Sequence, residues 1–429
     1  MNGLFLSFLA VVSCICFYRL KDTGKEYTKI VWVIYSLVFA TSCYLFLDKV
    51  IYRFTHPEVW DFSCFYLYGK TAVAGYNFYL PESFHTVFST LHFPYTDFMD
   101  FKESCVDIGF PYPPPTMLYF APLGYFSFYT ALTLWTIFNL LFVAGCIWLI
   151  YDLYFKQFKL NGLILVITLI FILNPARTTI FYSQTNYIVL FLLLLTKKYS
   201  DTKYAGIFLA LLIITKPYTA IFVLALIIIK NWKAIVYFIL STLTLISITA
   251  LLFGIKPFFT YVFNNPTLRL QEIVFNEITH QSLHAVLLRA NLISFNHPVQ
   301  YVYAAGALLF VTGIYLLFLI KQKLYDFVWA TLLLVALMVY PGTLANYGVV
   351  VVFILFQFFN PAKPLGFTMY LTIPIIGVFY FINTYFFFGS ACFLLLIIGL
   401  KSFGFFDRLN LYLTKILMPP FKFNTKTAV

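Results

Sequence analysis

Charged side chains are scarce in this chain. They make up 10% of its 429 residues, and only 16 residues are acidic, whereas about 25% of the residues in a soluble domain are charged. Hydrophobic residues account for 62%, and apolar runs of about 20 residues, the length that crosses a bilayer, recur from end to end. The alternating segments of a membrane β-barrel are missing. The sequence therefore predicts an all-α protein, a polytopic transmembrane helix bundle.

Nucleotide and metal signatures are missing as well. The chain has no P-loop, no G-x-G-x-x-G and no G-x-S-x-G motif, which argues against a pump driven directly by ATP. His280 and His284 follow Glu277 without forming H-E-x-x-H, and none of the seven cysteines has metal-ligand spacing to a histidine. We therefore predict no cofactor and no metal ligand.

Cys64 and Cys105 share one predicted outer loop, where a disulfide is possible, but we interpret them as two unpaired thiols.

Basic residues fall in short clusters between the apolar runs, as the positive-inside rule describes, so the net charge of +12 does not indicate nucleic acid binding. Orienting the runs by these clusters predicts about 13 membrane segments in one domain, residues 1–400, before a basic cytoplasmic tail, residues 401–429. Residues 53–114, after the second span, and 254–300 are predicted to be extracytoplasmic. Seven of the 16 acidic residues lie in the first of these segments. The composition is typical of a multi-pass protein of the bacterial inner (plasma) membrane.

Prolines and glycines interrupt several apolar runs. Residues 117–153 are predicted to form a short interfacial helix or a re-entrant turn, followed by one span. Residues 174–177 are predicted to form a turn. The run 204–229 lies between two basic clusters, so it must cross part of the membrane and return. Lys216-Pro217 is its natural break, because Pro217 lacks a backbone donor and disfavours helix at the preceding residue. A lysine beside broken backbone at membrane depth is a candidate site residue by default.

Asp61 is the candidate general base. It follows a long apolar run, near the start of residues 53–114, which we call the acidic insert. There it could take a proton from a hydroxyl group as that hydroxyl attacks. Trp60 and Phe62 would partly desolvate the carboxylate and raise its basicity. The alternatives are a helix cap or a solvated loop acid, and Glu58, one helical turn earlier, is the nearest rival.

Three cations are candidates for binding a phosphate group. Lys216 lies at the predicted break, and Arg177 and Arg289 lie at outer helix ends, where arginine can offer bidentate donors. The alternative for each is snorkelling of an interfacial side chain.

Amide and imidazole groups on the same predicted face are candidates for binding a sugar. Gln184 and Asn186 offer the donors and acceptors that hydroxyl groups need, although the alternative for this stretch is helix capping. His280 and Gln281 are predicted to form hydrogen bonds rather than to bind a metal.

Several motifs occur together in a characteristic order. They are Asp61-Phe62 with Tyr66, Gly75, Asn77 and Tyr79; Tyr112-Pro113-Pro114-Pro115; Ser183-Gln184-Thr185-Asn186; Lys216-Pro217; and Gln281-Ser282 with Arg289. In these motifs, across residues 55–350, the chain resembles the polyprenyl-phosphate-dependent glycosyltransferases of the GT-C class, and specifically glycosyltransferase family 87.

The resemblance implies a helix bundle of GT-C type and an inverting transfer of a hexosyl or pentosyl group. The donor would be a polyprenyl-monophosphate sugar and the acceptor an envelope glycan or glycolipid on the extracytoplasmic face. Known members transfer mannose or arabinofuranose. The family's catalytic acidic residue corresponds to Asp61, and Lys216 and Arg289 correspond to positions that would hold the donor phosphate. Asn77 and Tyr347 fall among the substrate-binding residues.

The chain departs from the family pattern at three places. Ser183 replaces a glycine, His280 replaces an asparagine, and a late motif that usually contains Trp and His reads Thr343-Leu344-Ala345-Asn346-Tyr347. Two other functions therefore stay open. One is a transporter or flippase for a lipid-linked or small polar substrate, and the other is an envelope-assembly protein with a degenerate site.

Overall fold

The chain was analysed in a computed structural model that describes residues 3–21, 28–56, 60–90, 105, 110–264, 280–358, 386–405 and 408. Within these ranges the secondary structure is helical, apart from one isolated antiparallel bridge between His280 and Leu344. The all-α prediction is therefore confirmed for the described part of the chain. The predicted span at 367–381 and most of the predicted tail at 401–429 lie outside the described residues.

Three helices lead to the acidic insert and begin it: α1 (Gly3–Lys21), α2 (Thr28–Thr55) and α3 (Trp60–Val73). The remaining α-helices are Pro81–Thr90, Met117–Phe120, Phe128–Ile150, Lys159–Ile172, Asn174–Phe181, Asn186–Lys198, Tyr204–Thr215, Phe222–Ile228, Trp232–Phe253, Lys256–Phe263, Leu283–Arg289, Pro298–Lys321, Tyr325–Val339, Val352–Phe358 and Phe386–Ser402. Short 3-10 segments connect some of them, at Pro114–Thr116, Ala121–Tyr125, Lys156–Phe158, Pro217–Ile221 and Ala345–Val351, and a π-helical turn lies at Tyr151–Phe155.

Four segments among the described residues are long and apolar enough to cross a membrane. They are Lys29–Thr55, Phe128–Ile172, Trp232–Phe253 and Val299–Lys321. Their length and composition support a membrane protein, and the total of about 13 segments stays a prediction. The short helix before the span at Phe128 is confirmed. The turn predicted at residues 174–177 is wrong, because this stretch begins the helix Asn174–Phe181 with Pro175 in its first turn, a position that suits proline.

The segment from Tyr204 to Ile228 forms a helical hairpin, which we call the Lys216 hairpin. Its first arm ends at Thr215, and Lys216 adopts an extended backbone before the 3-10 turn that begins at Pro217. The two ends of the hairpin meet again, because the Asn231 side-chain amide donates to the carbonyl groups of Ser200 and Thr202 at 2.6 and 3.0 Å. The predicted break and reversal are thus confirmed.

The first arm of the Lys216 hairpin has 12 residues and rises about 18 Å at 1.5 Å per residue. A bilayer core is about 30 Å thick. Lys216 is therefore at the tip of a segment that is too short to span the membrane, on the opposite end from the basic clusters at Lys197 and Lys230.

The helix α3 is held against the 3-10 segment Ala121–Tyr125 by close backbone packing. A Cβ atom on Gly69 would lie 2.2 Å from the carbonyl oxygen of Phe120, and one on Gly124 would lie 2.6 Å from the carbonyl oxygen of Gly69. The Lys70 ammonium group donates to the Gly124 carbonyl at 2.8 Å. These contacts fix the helix that carries Asp61.

Candidate active site

Asp61 lies in the first turn of α3, where the helix dipole favours a negative charge. The side-chain amide of Gln184 donates to the Asp61 carboxylate at 2.7 Å, across 123 positions of sequence. Burial raises the pKa of Asp61, and three influences oppose this rise: the Gln184 hydrogen bond and the positive charges of Lys216 and Arg53. The carboxyl group is therefore a stronger base than a solvated aspartate, and it lies within the electrostatic reach of two cations.

Lys216 is fully buried at the tip of the Lys216 hairpin. Its ammonium group donates to the hydroxyl groups of Tyr347 at 2.7 Å and Tyr112 at 3.1 Å. The same nitrogen lies 4.2 Å from the ring centroid of Tyr347 and 4.8 Å from that of Tyr112, distances that allow cation–π attraction. The two hydrogen-bond partners of this ammonium group shown here are neutral phenols, and the negative charge that acts on it is the carboxylate of Asp61.

The turn that contains Asn77 and Tyr79 positions the loop of Tyr112, one of the two phenol groups around Lys216. The hydroxyl of Tyr79 donates to the backbone carbonyl of Tyr112 at 2.6 Å. Asn77 supports this loop, because its side-chain oxygen accepts from the Tyr79 backbone at 3.2 Å and its amide donates to Thr260 at 2.9 Å. These contacts place Asn77 in a turn that supports the loop of Tyr112, and its contact with a substrate stays a prediction.

The motif Ser183–Asn186 joins the base to the late motif. Gln184 contacts Asp61, while the Asn186 side chain donates to the Asn346 carbonyl at 3.2 Å and to the Thr179 hydroxyl at 3.3 Å. Thr179 itself donates to the same Asn346 carbonyl at 3.2 Å. Asn186 therefore positions the segment that contains Tyr347.

His280, Gln281 and Arg289 form a neighbouring group, which contacts the late motif through His280 and Gln281. His280 pairs with Leu344, and the Gln281 backbone donates to the Thr343 carbonyl at 2.9 Å. Burial and the positive charge of Arg289 lower the pKa of His280 to about 4, so this imidazole is neutral near pH 7.

The ten residues selected from the sequence are not all brought together. Asp61, Gln184, Lys216 and Tyr347 share one cluster, which we call the Asp61–Lys216 cluster. Arg289 lies beside His280, and Arg177 is buried on the helix Asn174–Phe181, where the negative charge of Asp48 acts on it. Neither arginine is among the charges that act on Asp61. Among the described residues no three His, Cys, Asp or Glu side chains are grouped as metal ligands, and a metal-independent reaction stays a prediction.

The sequence interpretation missed Arg53 and Tyr112 as members of the Asp61–Lys216 cluster. Arg53 occupies the last turn of α2 and has no exposed surface. A signal was present, since an arginine that ends an apolar span on the side poor in basic residues departs from the positive-inside rule.

The interpretation of Cys64 and Cys105 as unpaired thiols is wrong. The two residues form a disulfide with their Cα atoms 5.2 Å apart, within the usual range for such a bond. Cys64 lies on α3 three positions after Asp61, and the Tyr68 hydroxyl donates to the Cys105 carbonyl at 3.0 Å. The disulfide thus ties a later part of the acidic insert, at Cys105, covalently to the helix that carries the candidate base.

The model of glycosyltransferase family 87 matches residues 110–345, more than half of the chain. The chain therefore belongs to glycosyltransferase family 87. No curated protein and no solved structure matches it. The matched residues include Gln184, Lys216 and Arg289, while Asp61 precedes them and Tyr347 follows them.

Proposed function

We propose that this chain transfers a sugar from a polyprenyl-monophosphate donor to an envelope glycan or glycolipid, with Asp61 as general base. Membership of the family supports a glycosyltransferase. The observation that carries the proposal is the Asp61–Lys216 cluster, in which a partly buried carboxylate and a buried cation act on each other electrostatically. A base for the nucleophile and a cation for a leaving phosphate are the two groups that this reaction requires.

In the proposed reaction an acceptor hydroxyl attacks the anomeric carbon of the donor sugar. The new bond forms between that oxygen and the anomeric carbon, while the bond from the same carbon to the phosphate oxygen breaks. The proton of the attacking hydroxyl moves to Asp61, and the electron pair of the broken bond stays on the phosphate. Attack opposite the leaving group inverts the anomeric configuration, and no acid is needed to protonate a phosphate.

Lys216 is proposed to bind the donor phosphate. Its ammonium group is held by two phenol hydroxyls, and each of these can also donate a hydrogen bond to a phosphate oxygen. Preorganised donors of this kind stabilise charge that develops in the transition state at little cost in reorganisation. His280, Gln281 and Arg289 are proposed to contact the sugar or the acceptor from the neighbouring group.

Two observations support an active site on the extracytoplasmic face of the bacterial inner membrane. The Lys216 hairpin has its tip at the opposite end from the basic clusters, and basic clusters mark the cytoplasmic side. The Cys64–Cys105 disulfide is the kind of bond that persists in an oxidising compartment and is rare in the cytosol.

The Asp61→Asn variant tests the base. We expect transfer to fall about 10²- to 10⁴-fold, the contribution of a general base, while the protein still reaches the membrane. The measurement is transfer of radiolabelled sugar from polyprenyl-phosphate mannose or arabinose, by reconstituted protein, to envelope glycan from a deletion strain. Glu82→Gln, an exposed acid of the same insert, is the matched control. Full activity of Asp61→Asn would remove Asp61 from the reaction.

Mass spectrometry of envelope glycans from the deletion strain would identify the transferred sugar, its linkage and its acceptor. A glycan that lacks one sugar is the expected result. An unchanged glycan pattern together with altered uptake of a polar substrate would favour a transporter.

A further inference from the structure

Arg53 is a buried cation that the proposed reaction does not yet use. It lies at the end of α2 with no exposed surface. Its Nε donates to the Ser183 hydroxyl at 2.7 Å, and its Nη1 donates to the His56 carbonyl at 3.3 Å. The guanidinium group also lies 5.4 Å from the ring centroid of Phe62, the neighbour of Asp61. The planar, forked group of arginine allows these contacts at the same time.

Ser183, the partner of Arg53, has an unusual backbone. Its φ is +53°, in the left-handed region that residues other than glycine seldom adopt. The indole of Trp135 donates to the Ser183 carbonyl at 2.8 Å, so hydrogen bonds hold this residue at both its side chain and its backbone. Such a conformation persists where the surrounding structure determines it.

The conformation of Ser183 decides where Gln184 points. The Gln184 backbone donates to the Thr179 carbonyl at 2.9 Å, which closes the turn, and the Gln184 side chain then reaches the Asp61 carboxylate at 2.7 Å. A continuous series of contacts thus runs from Arg53 through Ser183 and Gln184 to Asp61.

We propose that Arg53 is a positioning residue for the base: it holds the Ser183–Gln184 turn so that the Gln184 amide orients the Asp61 carboxylate, and it places a second positive charge beside that carboxylate. The proposal rests on the function proposed above, since it gives Arg53 a role through Asp61. It also gives a role to the serine at position 183, because its hydroxyl offers Arg53 an acceptor that a glycine would lack.

The charge of Arg53 has a predictable effect on pH dependence. Burial raises the pKa of Asp61, while the Gln184 hydrogen bond and the charges of Lys216 and Arg53 lower it. The phenols of Tyr68, Tyr112 and Tyr347 also lie within electrostatic reach of Asp61, and they are neutral across the range of the assay. A general base works when it is ionised, so the rate rises with pH through the pKa of Asp61. Removal of the Arg53 charge therefore shifts this rise to higher pH.

Three variants separate the two contributions of Arg53. Arg53→Met removes both the charge and the hydrogen bonds. Arg53→Lys keeps the charge but lacks the forked guanidinium group. Ser183→Ala removes the hydroxyl acceptor and leaves Arg53 in place. Lys49→Gln removes a cation one turn earlier on α2, and it is the matched control. Lys49 contacts Asp48 and the rings of Tyr52 and Phe181.

The experiment is the pH profile of sugar transfer in the reconstituted assay described above, with the unfolding temperature measured for each variant. We expect Arg53→Met to lower the rate at least tenfold and to move the midpoint of the profile to higher pH, because loss of a positive charge disfavours the ionised carboxylate. Arg53→Lys and Ser183→Ala should lower the rate and leave the midpoint within a few tenths of a unit of the wild-type value. Lys49→Gln should change neither quantity.

The outcomes distinguish this proposal from the function that it rests on. If Asp61→Asn is inactive and folded Arg53→Met keeps the wild-type rate and profile, Arg53 has no positioning role. If Arg53→Met does not fold, the folded Ser183→Ala and Arg53→Lys variants decide, and wild-type rates in both would overturn the proposal. If Asp61→Asn is fully active, the base itself is wrongly assigned.

Discussion

At the scale of the residue, Asp61 is under two opposing influences. Burial raises its pKa and makes it a better base, whereas Gln184 and the cations Lys216 and Arg53 favour its ionised form. Burial is the largest of these effects. A site of this kind keeps the carboxylate basic without leaving its charge uncompensated, which suits a group that must accept a proton and later release it.

Lys216 provides a prediction at this scale. Lys216→Met keeps most of the side-chain length and removes the charge, so the expected loss is a charge-assisted hydrogen bond of about 1.5–3 kcal/mol to the donor phosphate. This corresponds to about a 10- to 150-fold rise in the KM for the polyprenyl-phosphate sugar. We expect kcat to fall as well, because the same charge stabilises the leaving phosphate in the transition state. Initial rates at varied donor and varied acceptor concentrations measure the effect.

We expect the KM for the acceptor to change much less than the KM for the donor. Lys256→Met, in the helix Lys256–Phe263 and exposed, is the control. Equal increases in both KM values would show that Lys216 supports the structure and does not bind the donor.

At the scale of the element, local rules of sequence were informative in some places and misleading in others. Pro217 correctly predicted where the Lys216 hairpin breaks, because a missing backbone donor acts wherever the residue lies. Pro175 was misread as a turn, because proline also suits the first turn of a helix. Proline therefore predicts a helix break in one sequence context and the first turn of a helix in another, and only the neighbouring residues distinguish the two.

Packing between α3 and the segment Ala121–Tyr125 provides a prediction at this scale. Gly69→Ala would place a Cβ atom 2.2 Å from the Phe120 carbonyl oxygen, which is rigid backbone. We expect a loss of stability of at least about 1–3 kcal/mol, the usual cost of overpacking, and a loss of transfer activity as Asp61 moves with α3. Thermal unfolding in detergent measures the first effect and the transfer assay the second.

Gly313→Ala is the control for this test. The site on the helix Pro298–Lys321 has no atom within 4 Å of the new Cβ atom, so stability should stay the same or rise slightly, as it does when alanine replaces glycine in a helix. Equal stability of Gly69→Ala and the wild type would contradict the close packing.

At the scale of the whole molecule, the distribution of charge and the disulfide both support the extracytoplasmic side that we propose for the Asp61–Lys216 cluster. The ends of the Lys216 hairpin lie among basic clusters, and its tip lies with Tyr112 and the disulfide-linked insert. Neither observation depends on the other, since one is a property of sequence and the other is a covalent bond.

Thiol labelling in intact cells tests this orientation. With the five free cysteines replaced, Tyr76→Cys, on an exposed turn after α3, should react with a membrane-impermeant maleimide added outside. Asp201→Cys, in the exposed turn before the first arm of the Lys216 hairpin, should react only after the membrane is permeabilised. The reverse pattern would place the site in the cytoplasm.

The sequence by itself determined the helical membrane architecture, the break at Lys216 and the choice of Asp61, Gln184 and Lys216 as site candidates. These follow from hydropathy, proline and the scarcity of buried charge, which act locally and can be read from a short stretch of chain. Only the tertiary structure decided which candidates meet. Arg53 reaches Ser183 across 130 positions and Lys216 reaches Tyr112 across 104, whereas Arg177 and Arg289 lie in other groups. Contacts at such separations depend on how the helices pack against one another, and no local pattern of residues specifies that packing.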